Sequence, residues 1–461
     1  MNTSEKHAVV LGGSLAGLLA ARVLADHFDC VTLIERDAYA ENCETRRGIP
    51  QANHVHGLLA RGRQILEELF PGVQDEMIAA GAPVVDMANE IAWFTRAGWG
   101  VRFPSEFQVL AFTRPLLDLH VRRRLSQNPP VKILDNTEVL RLIQGTSKDH
   151  VAGVLVCPRS SETDRRVAKE LHADLVVDTT GRASRAPRWL SDLFSVEGNR
   201  WLVTLTGGGG DHPPSDEAGF LEFARSLPVS TIYDAISTAE PISPIKTHRA
   251  TQNRVRRFER ATLPHNFLLL GDAVCAFNPV YGQGMTIASL GAVTLHKNLI
   301  NQRRLHTNGS FVGLSRRFQK QLAKVNEAPW MLATGEDYRY RETEGGAPTA
   351  MNRFMHRYMD QVIHLSTHSV TVRRVLMRAF NILVPPTALF HPRVLFRVLV
   401  HGLYGSVKID FHRSVQSVAH SKTANWTQHE NTNRDHCRER EISNRQSSAQ
   451  RRVVFNVRTP R

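Results

Sequence analysis

Cysteine is scarce and unpatterned in this chain of 461 residues: Cys30, Cys43, Cys157, Cys275 and Cys437 are odd in number and show neither C-x-x-C nor zinc-ligand spacing. A disulfide framework and a cysteine zinc site are excluded, and reduced, intracellular thiols are expected. Long apolar runs are missing as well. No stretch of about 18 uninterrupted apolar residues occurs, which argues against a spanning helix. The N-terminus reaches its first β-type run without the charged start, apolar core and cleavage site of a secretory signal, so a cytoplasmic protein is expected. Acidic residues are outnumbered, 44 against 58 lysines and arginines, for a formal net charge of +14. The basic residues are spread along the chain, and the folded part holds neither a clustered stripe nor a recognisable module for nucleic acid. The excess therefore reads as a solvated basic surface that tolerates anionic ligands. His54 and His56 have no third or fourth ligand spaced around them, so no metal site is expected.

What the chain does have begins at His7. HAVVLGGSLAGLLAARVLADHFDCVTLIERD, to Asp37, reads as strand, turn, helix and strand: an apolar run over Ala8 to Leu11, helical spacing over Leu15 to Asp26, and a second β-rich run over Val31 to Ile34 closed by Glu35. The turn Gly12-Gly13-Ser14-Leu15-Ala16-Gly17 brings amide N–H groups and the positive end of a helix to a pyrophosphate. Gly17 removes a side chain where helix and strand approach, and Glu35 stands where a ribose hydroxyl needs an acceptor. The middle glycine of the G-x-G-x-x-G fingerprint is Ser14, whose hydroxyl can itself donate to a phosphate. Nucleotide binding is the reading.

The length allows two or three domains. Arg47 follows the nucleotide unit and is placed to reach a phosphate or a cofactor edge. Short β-type runs over Ala82 to Val85, Ile91 to Phe94, Val101 to Phe103 and Val109 to Phe112 suit an antiparallel sheet. Thr113-Arg114-Pro115 opens a periodic helix with Thr113 as N-cap, and Arg114 at its start reads as a phosphate or ribose contact. A β-meander and the buried strand Ala173 to Asp178 lead to Thr179-Thr180-Gly181 and a basic exit, Arg182 to Arg185. Trp201 to Thr206 is a further strand. Phe267 to Leu270 then ends in Gly271-Asp272-Ala273, and Asn278-Pro279-Val280-Tyr281-Gly282-Gln283-Gly284-Met285 opens another helix, repeating the physics of the first unit at a second site. Residues 301–418 read as mostly helical. Within them Val370 to Leu403 reads either as helices packed on the body or as a cationic, apolar face for peripheral membrane contact. Beyond about Val418 little can be buried, and residues 419–461 read as a disordered basic tail.

GGSLAG with Glu35, the DTTGRASR exit, and GDA with N-P-V-Y-G-Q-G-M stand in one order along the chain. In this the sequence resembles the FAD-dependent monooxygenase, or aromatic hydroxylase, superfamily typified by p-hydroxybenzoate hydroxylase. More narrowly it looks like the FAD-dependent oxidoreductases related to polyether epoxidases, through RRGIPQANHVHGLLARGRQILEELFPG, GDAVCAFNPVYGQGMT and APWMLATGEDYRYRETEGG. The resemblance covers about residues 7 to 404. It implies an α/β fold: a Rossmann-like, glutathione-reductase-like FAD-binding domain (1–81, 113–186 and 263–300), an inserted β-sheet substrate domain (82–112 and 187–262), and a helical C-terminal part. Two departures stand out. Thr180-Gly181 lacks the family's aspartate, and the Gly181 to Gly271 interval is short, as though sheet strands between Leu190 and Trp201 were missing.

By the resemblance, Gly12, Gly13, Ser14 and Gly17 hold the FAD pyrophosphate, Glu35 the adenosine ribose, and Arg47 and Arg114 further polar groups of FAD. Asp272 binds the ribityl chain, and Gly282, Gly284 and Met285 set a helix N-terminus near the pyrimidine end of the flavin. The activity implied is insertion of one oxygen atom from O₂ into a small apolar aromatic or alkene substrate through a flavin C4a-hydroperoxide, with NAD(P)H as reductant. No catalytic acid or base is named. The alternatives are a reductase or dehydrogenase of the same fold, resembling geranylgeranyl reductases, a flavoprotein that binds without turning over, and a tail that binds nucleic acid or anionic membrane.

Overall fold

The computed structural model describes residues 5–39, 56–145, 147, 149–159, 168–184, 200–207, 214–227, 233, 237, 240–241, 246–248, 252–339, 349–404 and 451–458. At its centre lies a five-stranded sheet of β1 (His7–Leu11), β2 (Cys30–Ile34), β3 (Val131–Leu134), β4 (Leu175–Asp178) and β5 (Phe267–Leu269), in the order β5-β4-β1-β2-β3. Every pairing in it is parallel. The composition explains the arrangement: Ala8, Val9, Val10, Leu175, Val176, Val177, Leu268 and Leu269 are fully buried, and strands apolar on both faces need helices on both faces. In register, Leu11 pairs with Ile34 on one side and Asp178 on the other. The carboxyl ends of β1, β2 and β4 are thus level, and that edge is where such sheets bind ligands.

The helices that position this edge are α1 (Leu15–Leu24), α2 (Ala60–Leu69), α3 (Arg114–Ser126), α4 (Gly284–Leu305) and α5 (Leu314–Asp337). α1 packs on α3 and α4, and α4 also packs on α2 and α5. Thr113 caps α3, its Oγ1 accepting from the Leu116 N–H at 3.4 Å. Where α1 ends, His27 is buried, its Nε2 3.0 Å from Nδ1 of His296 on α4. Burial first, then the charges of Arg303 and His296, push the His27 imidazole from 6.5 down to about 4. The fold therefore holds His27 neutral, and its contribution to stability is complete above pH 6.5 and lost as pH falls toward 4. His27→Gln should remove about 2 kcal/mol of that acid-side loss, read by denaturant unfolding at pH 7 and pH 4. An identical pH dependence in the variant would mean that His27 is not the sensitive group.

The second layer is antiparallel. Gln108–Phe112 pairs with Val84–Asp86 and with His56–Gly57, and Phe94–Thr95 pairs with Gly98–Trp99 in a short hairpin. The strand expected over Val101 to Phe103 does not form. Instead the Val101 N–H donates to the Ser366 carbonyl at 3.3 Å, and Phe103 goes into a buried cluster with Phe107 and Met377. A meander of Thr137–Gln144, Val151–Pro158 and Lys169–His172 leads into β4.

The reading of 419–461 as a disordered tail needs correction at one place. Arg451–Arg458 is a strand, antiparallel to Arg200–Gly207 over all eight residues and flanked on its other edge by Glu240–Pro241 and Lys246–His248. The stretch RRVVFNVR is a β-branched island in a polar tail, and among the described residues its backbone pairs with strands more than 200 residues earlier. No local periodicity could have announced that pairing. Residues 419–450 and 459–461 lie outside the described residues.

The C-terminal helices are α6 (Ala350–Leu365), α7 (Val370–Phe380) and α8 (Pro392–Tyr404), joined by a core that includes Tyr358, Val362, Val372, Leu376, Leu389 and Val394. α8 buries Val394 and turns Phe396 and Leu399 outward, 68% and 63% exposed. Among the described residues no helix is long and apolar enough to cross a membrane.

Candidate functional site

At the end of β1 the chain turns through Gly12 at φ +94°, in the left-handed region that favours glycine, with the Thr179 carbonyl so near that a Cβ would sit 3.0 Å from it. Thr179 closes the turn from the β4 side, its Oγ1 donating to the Leu11 and Gly12 carbonyls at 2.8 and 2.9 Å. Gly17 is tighter still: a Cβ there would lie 1.8 Å from the Gly12 carbonyl oxygen. The Gly13 N–H donates to Glu35 Oε2 at 2.7 Å, and the Asp37 N–H to Glu35 Oε1 at 2.9 Å. Glu35 is buried and braces the loop, while Tyr39 donates its hydroxyl to the Gly13 carbonyl at 2.7 Å. Ser14 starts α1 without a side-chain cap because its Oγ accepts from Arg114 at 2.8 Å. Arg114, also buried, bonds Asp118 at 2.8 Å, so this guanidinium ties the start of α3 to the glycine loop.

Across the sheet edge, β5 delivers Asp272 on a turn that includes Gly271 to Ala273. Arg182 faces it, Nε to Oδ2 3.8 Å, and Arg182 is in turn held by the carbonyls of Gln252 and Phe277. Arg254 and Arg256 donate to the Arg182 carbonyl, which makes this side of the site strongly basic. Burial raises the Asp272 carboxyl above the ordinary carboxylate range, opposed first by Arg182 and then by Arg114 and Arg254. Asp178 is spent locally, accepting from Thr180 N–H, Thr180 Oγ1 and Ser184 Oγ.

The start of α4 is where separate segments meet. Gly62 of α2 lets that helix come so close that a Cβ would lie 2.6 Å from Thr286 Oγ1. From α5, Asp337 accepts from the Tyr281 hydroxyl and, at 2.6 Å, from Asn253 Nδ2, which clamps the Pro279–Tyr281 turn, and Trp330 lies 6.3 Å from Phe277. Residues of all three stretches quoted for the resemblance thus converge on one helix N-terminus. Among the described residues the space around it is open. A Cβ on Gly282 would meet nothing within 4 Å, and on Gly181 or Gly284 only Asp272, at 3.9 Å. Two buried oxygens here, Gln283 Oε1 and Thr286 Oγ1, have no hydrogen-bond partner among the described residues.

Of the sequence-derived site residues, Gly12, Gly13, Ser14, Gly17, Glu35 and Arg114 form one cluster, and Asp272, Gly282 and Gly284 form a second across the carboxyl edge. Met285 packs partly buried against the core, and Arg47 lies outside the described residues. Thr179, Tyr39, Arg182 and Gln283 were not singled out as individual site residues. Thr179 and Arg182 lie in the DTTGRASR exit and Gln283 in the N-P-V-Y-G-Q-G-M motif, whereas Tyr39 belongs to no motif. Cys275, next to Asp272, is buried with its thiol pushed up to about 12, so it is an inert filler and not a nucleophile. Among the described residues no group of three or more His, Cys, Asp or Glu could hold a metal ion.

The architecture is the fold of flavin-dependent monooxygenases and halogenases. The chain is similar to the flavin-dependent brominase Bmp2, with TM-score 0.53 and 13% identity over 86% of this chain and 99% of that one. It is similar to p-nitrophenol 4-monooxygenase PnpA from Pseudomonas putida, with TM-score 0.51 and 16% identity over 83% and 99%. It is also similar to PqsL of P. aeruginosa in complex with 2-aminobenzoylacetate, with TM-score 0.51 and 15% identity over 72% and 95%. In sequence it is 28% identical to Protein Rv3254 of Mycobacterium tuberculosis over 456 residues, 87% of this chain and 94% of the relative. No family model matches.

Proposed function

We propose that the protein is an FAD-dependent monooxygenase that inserts one oxygen atom from O₂ into a small apolar aromatic or alkene substrate, with NAD(P)H as reductant. The observation that carries the reading is the N-terminus of α4: two orphaned buried oxygens, Gln283 Oε1 and Thr286 Oγ1, and glycine faces open toward Asp272. These features fit the polar pyrimidine edge and ribityl chain of a flavin. The amides from Ser14 to Gly17, at the start of α1, fit the pyrophosphate, with Arg114 beside them.

Bound FAD would supply hydride acceptance and the activation of O₂. The chain's own part is placement and electrostatics. The positive end of α4 favours negative charge at its N-terminus, and Arg182, Arg254 and Arg256 add fixed positive charge behind Asp272. Phe277 and Trp330, with the Tyr281 turn clamped by Asp337, form an apolar wall that excludes water. The supporting similarities are fold-level, and their members include a brominase as well as monooxygenases.

Gly284→Leu separates a site from a merely structural turn, because among the described residues a Cβ there meets only Asp272 Oδ1, at 3.9 Å. The variant should melt within about 2 °C of wild type, since surface-like changes are usually small, yet bind FAD at least tenfold more weakly. Full FAD occupancy under dilution would remove the flavin from this turn. On the wild-type enzyme, substrate-dependent O₂ uptake with NAD(P)H is expected. Turnover without O₂ would assign a reductase instead, and product formation only with added bromide or chloride would assign a halogenase.

A further inference from the structure

Arg373, on α7, is the largest fully buried side chain described, at 0% exposure, and among the described residues none of its Nε, Nη1 and Nη2 atoms has a hydrogen-bond partner. Its neighbour Arg374 faces outward and has its acid, Glu106 at 4.0 Å. The buried carboxylate of Asp86, in the same antiparallel layer, is committed to the Ala88, Asn89 and Ser105 amides and the Ser105 hydroxyl. Arg373 has instead the Trp93 ring 5.2 Å from its Cζ, with Trp93 itself packed on the cluster of Phe103, Phe107 and Met377, and the bare backbone of Gly100, while the Arg374 guanidinium lies over Phe103. A Cβ on Gly100 would lie 1.8 Å from Nη1, so the glycine is what lets the guanidinium occupy this place. A cation–π contact offsets only part of the cost of desolvating a guanidinium, and an uncompensated buried charge is among the costliest features a fold can keep.

We propose that Arg373 is the anchor for the carboxylate of an aromatic or aliphatic acid whose apolar body lies against Trp93, Phe103 and Phe107. The planar fork of a guanidinium matches a carboxylate bidentately, and one fixed positive charge in an apolar shell neutralises a monoanion, whereas a phosphate dianion would leave a second charge unpaired. The ligand enters by parting the short Phe94–Trp99 hairpin, whose strand pairs are Phe94 with Trp99 and Thr95 with Gly98, closed at its base by the Gly100 N–H donating to the Trp93 carbonyl at 2.9 Å, and whose two aromatic residues are partly exposed. For what is done to the ligand this rests on the monooxygenase reading, and it narrows that reading to acid substrates. For binding it does not.

The test uses the full-length, flavin-loaded protein with benzoate and decanoate as probes, and benzyl alcohol and decanol as their neutral counterparts. Wild type should be stabilised against heat by at least one carboxylate and by neither alcohol. Arg373→Met should melt higher than wild type without ligand, because the uncompensated charge is gone, and should lose at least tenfold in carboxylate affinity by calorimetry while keeping its flavin. Gly100→Ala, which keeps the charge but displaces the guanidinium, should weaken the same binding. The proposal is overturned if wild type responds to neither acid, if Arg373→Met binds the acids as wild type does, or if that variant melts lower without ligand, which would reveal a structural partner for the charge. Carboxylate binding by a protein that shows no O₂ uptake supports the anchor and counts only against the monooxygenase reading.

Discussion

Gly17→Ala is expected to give a protein that folds poorly and purifies without flavin, although it adds a single methyl group to a helix. Alanine is the better helix former by about 1 kcal/mol, so propensity alone predicts a gain. The structure predicts the reverse, because that methyl would sit 1.8 Å from the Gly12 carbonyl oxygen and 2.8 Å from Thr179 Oγ1. The first obstacle is backbone, held by the Thr179 hydroxyl and by the Gly12 N–H donating to the Ile34 carbonyl at 2.8 Å. It cannot rotate away as a side-chain tip could. Overpacking of this kind costs about 1 to 3 kcal/mol and often more against backbone. The shift needed to relieve it moves the start of α1 away from the sheet edge. FAD affinity should drop at least a hundredfold, measured by fluorescence titration. Gly335→Ala on α5, where a Cβ meets nothing within 4 Å, is the control and should be neutral or slightly stabilising. Wild-type FAD retention in Gly17→Ala would show that the close approach is not needed.

Val453→Pro tests the other large effect, at the far end of the chain. Val453 pairs with Leu205 on one side and Thr247 on the other, so a proline there deletes a ladder N–H whichever neighbour receives it. Among the described residues, Arg200–Gly207, Glu240–Pro241 and Lys246–His248 have no strand partner except Arg451–Arg458. Breaking the central strand therefore unpairs the whole sheet. Expected are a loss of soluble yield and protease cleavage between residues 200 and 248, with flavin affinity in the surviving soluble fraction within twofold of wild type, because the parallel sheet draws no strand from this region. Read from composition alone, the same substitution in a disordered tail would be silent, and a silent result would restore that reading.

The two halves of the candidate site were legible to different degrees. Gly12, Gly13, Ser14, Gly17 and Glu35 are close in sequence, and their chemistry follows from one strand-turn-helix-strand unit whose apolar spacing is local. Their partners were not legible. Thr179 reaches Gly12 from 167 residues away, and Arg114 reaches Ser14 across 100, because the parallel register of β1 against β4 brings those ends level. Glu35 was expected to face a ribose. The structure turns both of its oxygens onto backbone amides of Gly13 and Asp37, a choice that depends on how the loop closes.

What the sequence by itself determined is whatever repeats over short range: the alternation of buried strands and helices, the glycine turn, the Thr113 cap and the second glycine-rich helix start after Asp272. Tertiary structure alone decided the rest. It placed Asp337 on Tyr281 and Gly62 against Thr286, and it left Arg373 charged, buried and unpaired. It also recruited eight residues from a polar tail into a sheet. The physical reason is the same in each case: hydrophobic periodicity records how much of an element is buried, whereas the partner of a hydrogen-bonding group or a charge is set by packing between segments far apart in the chain.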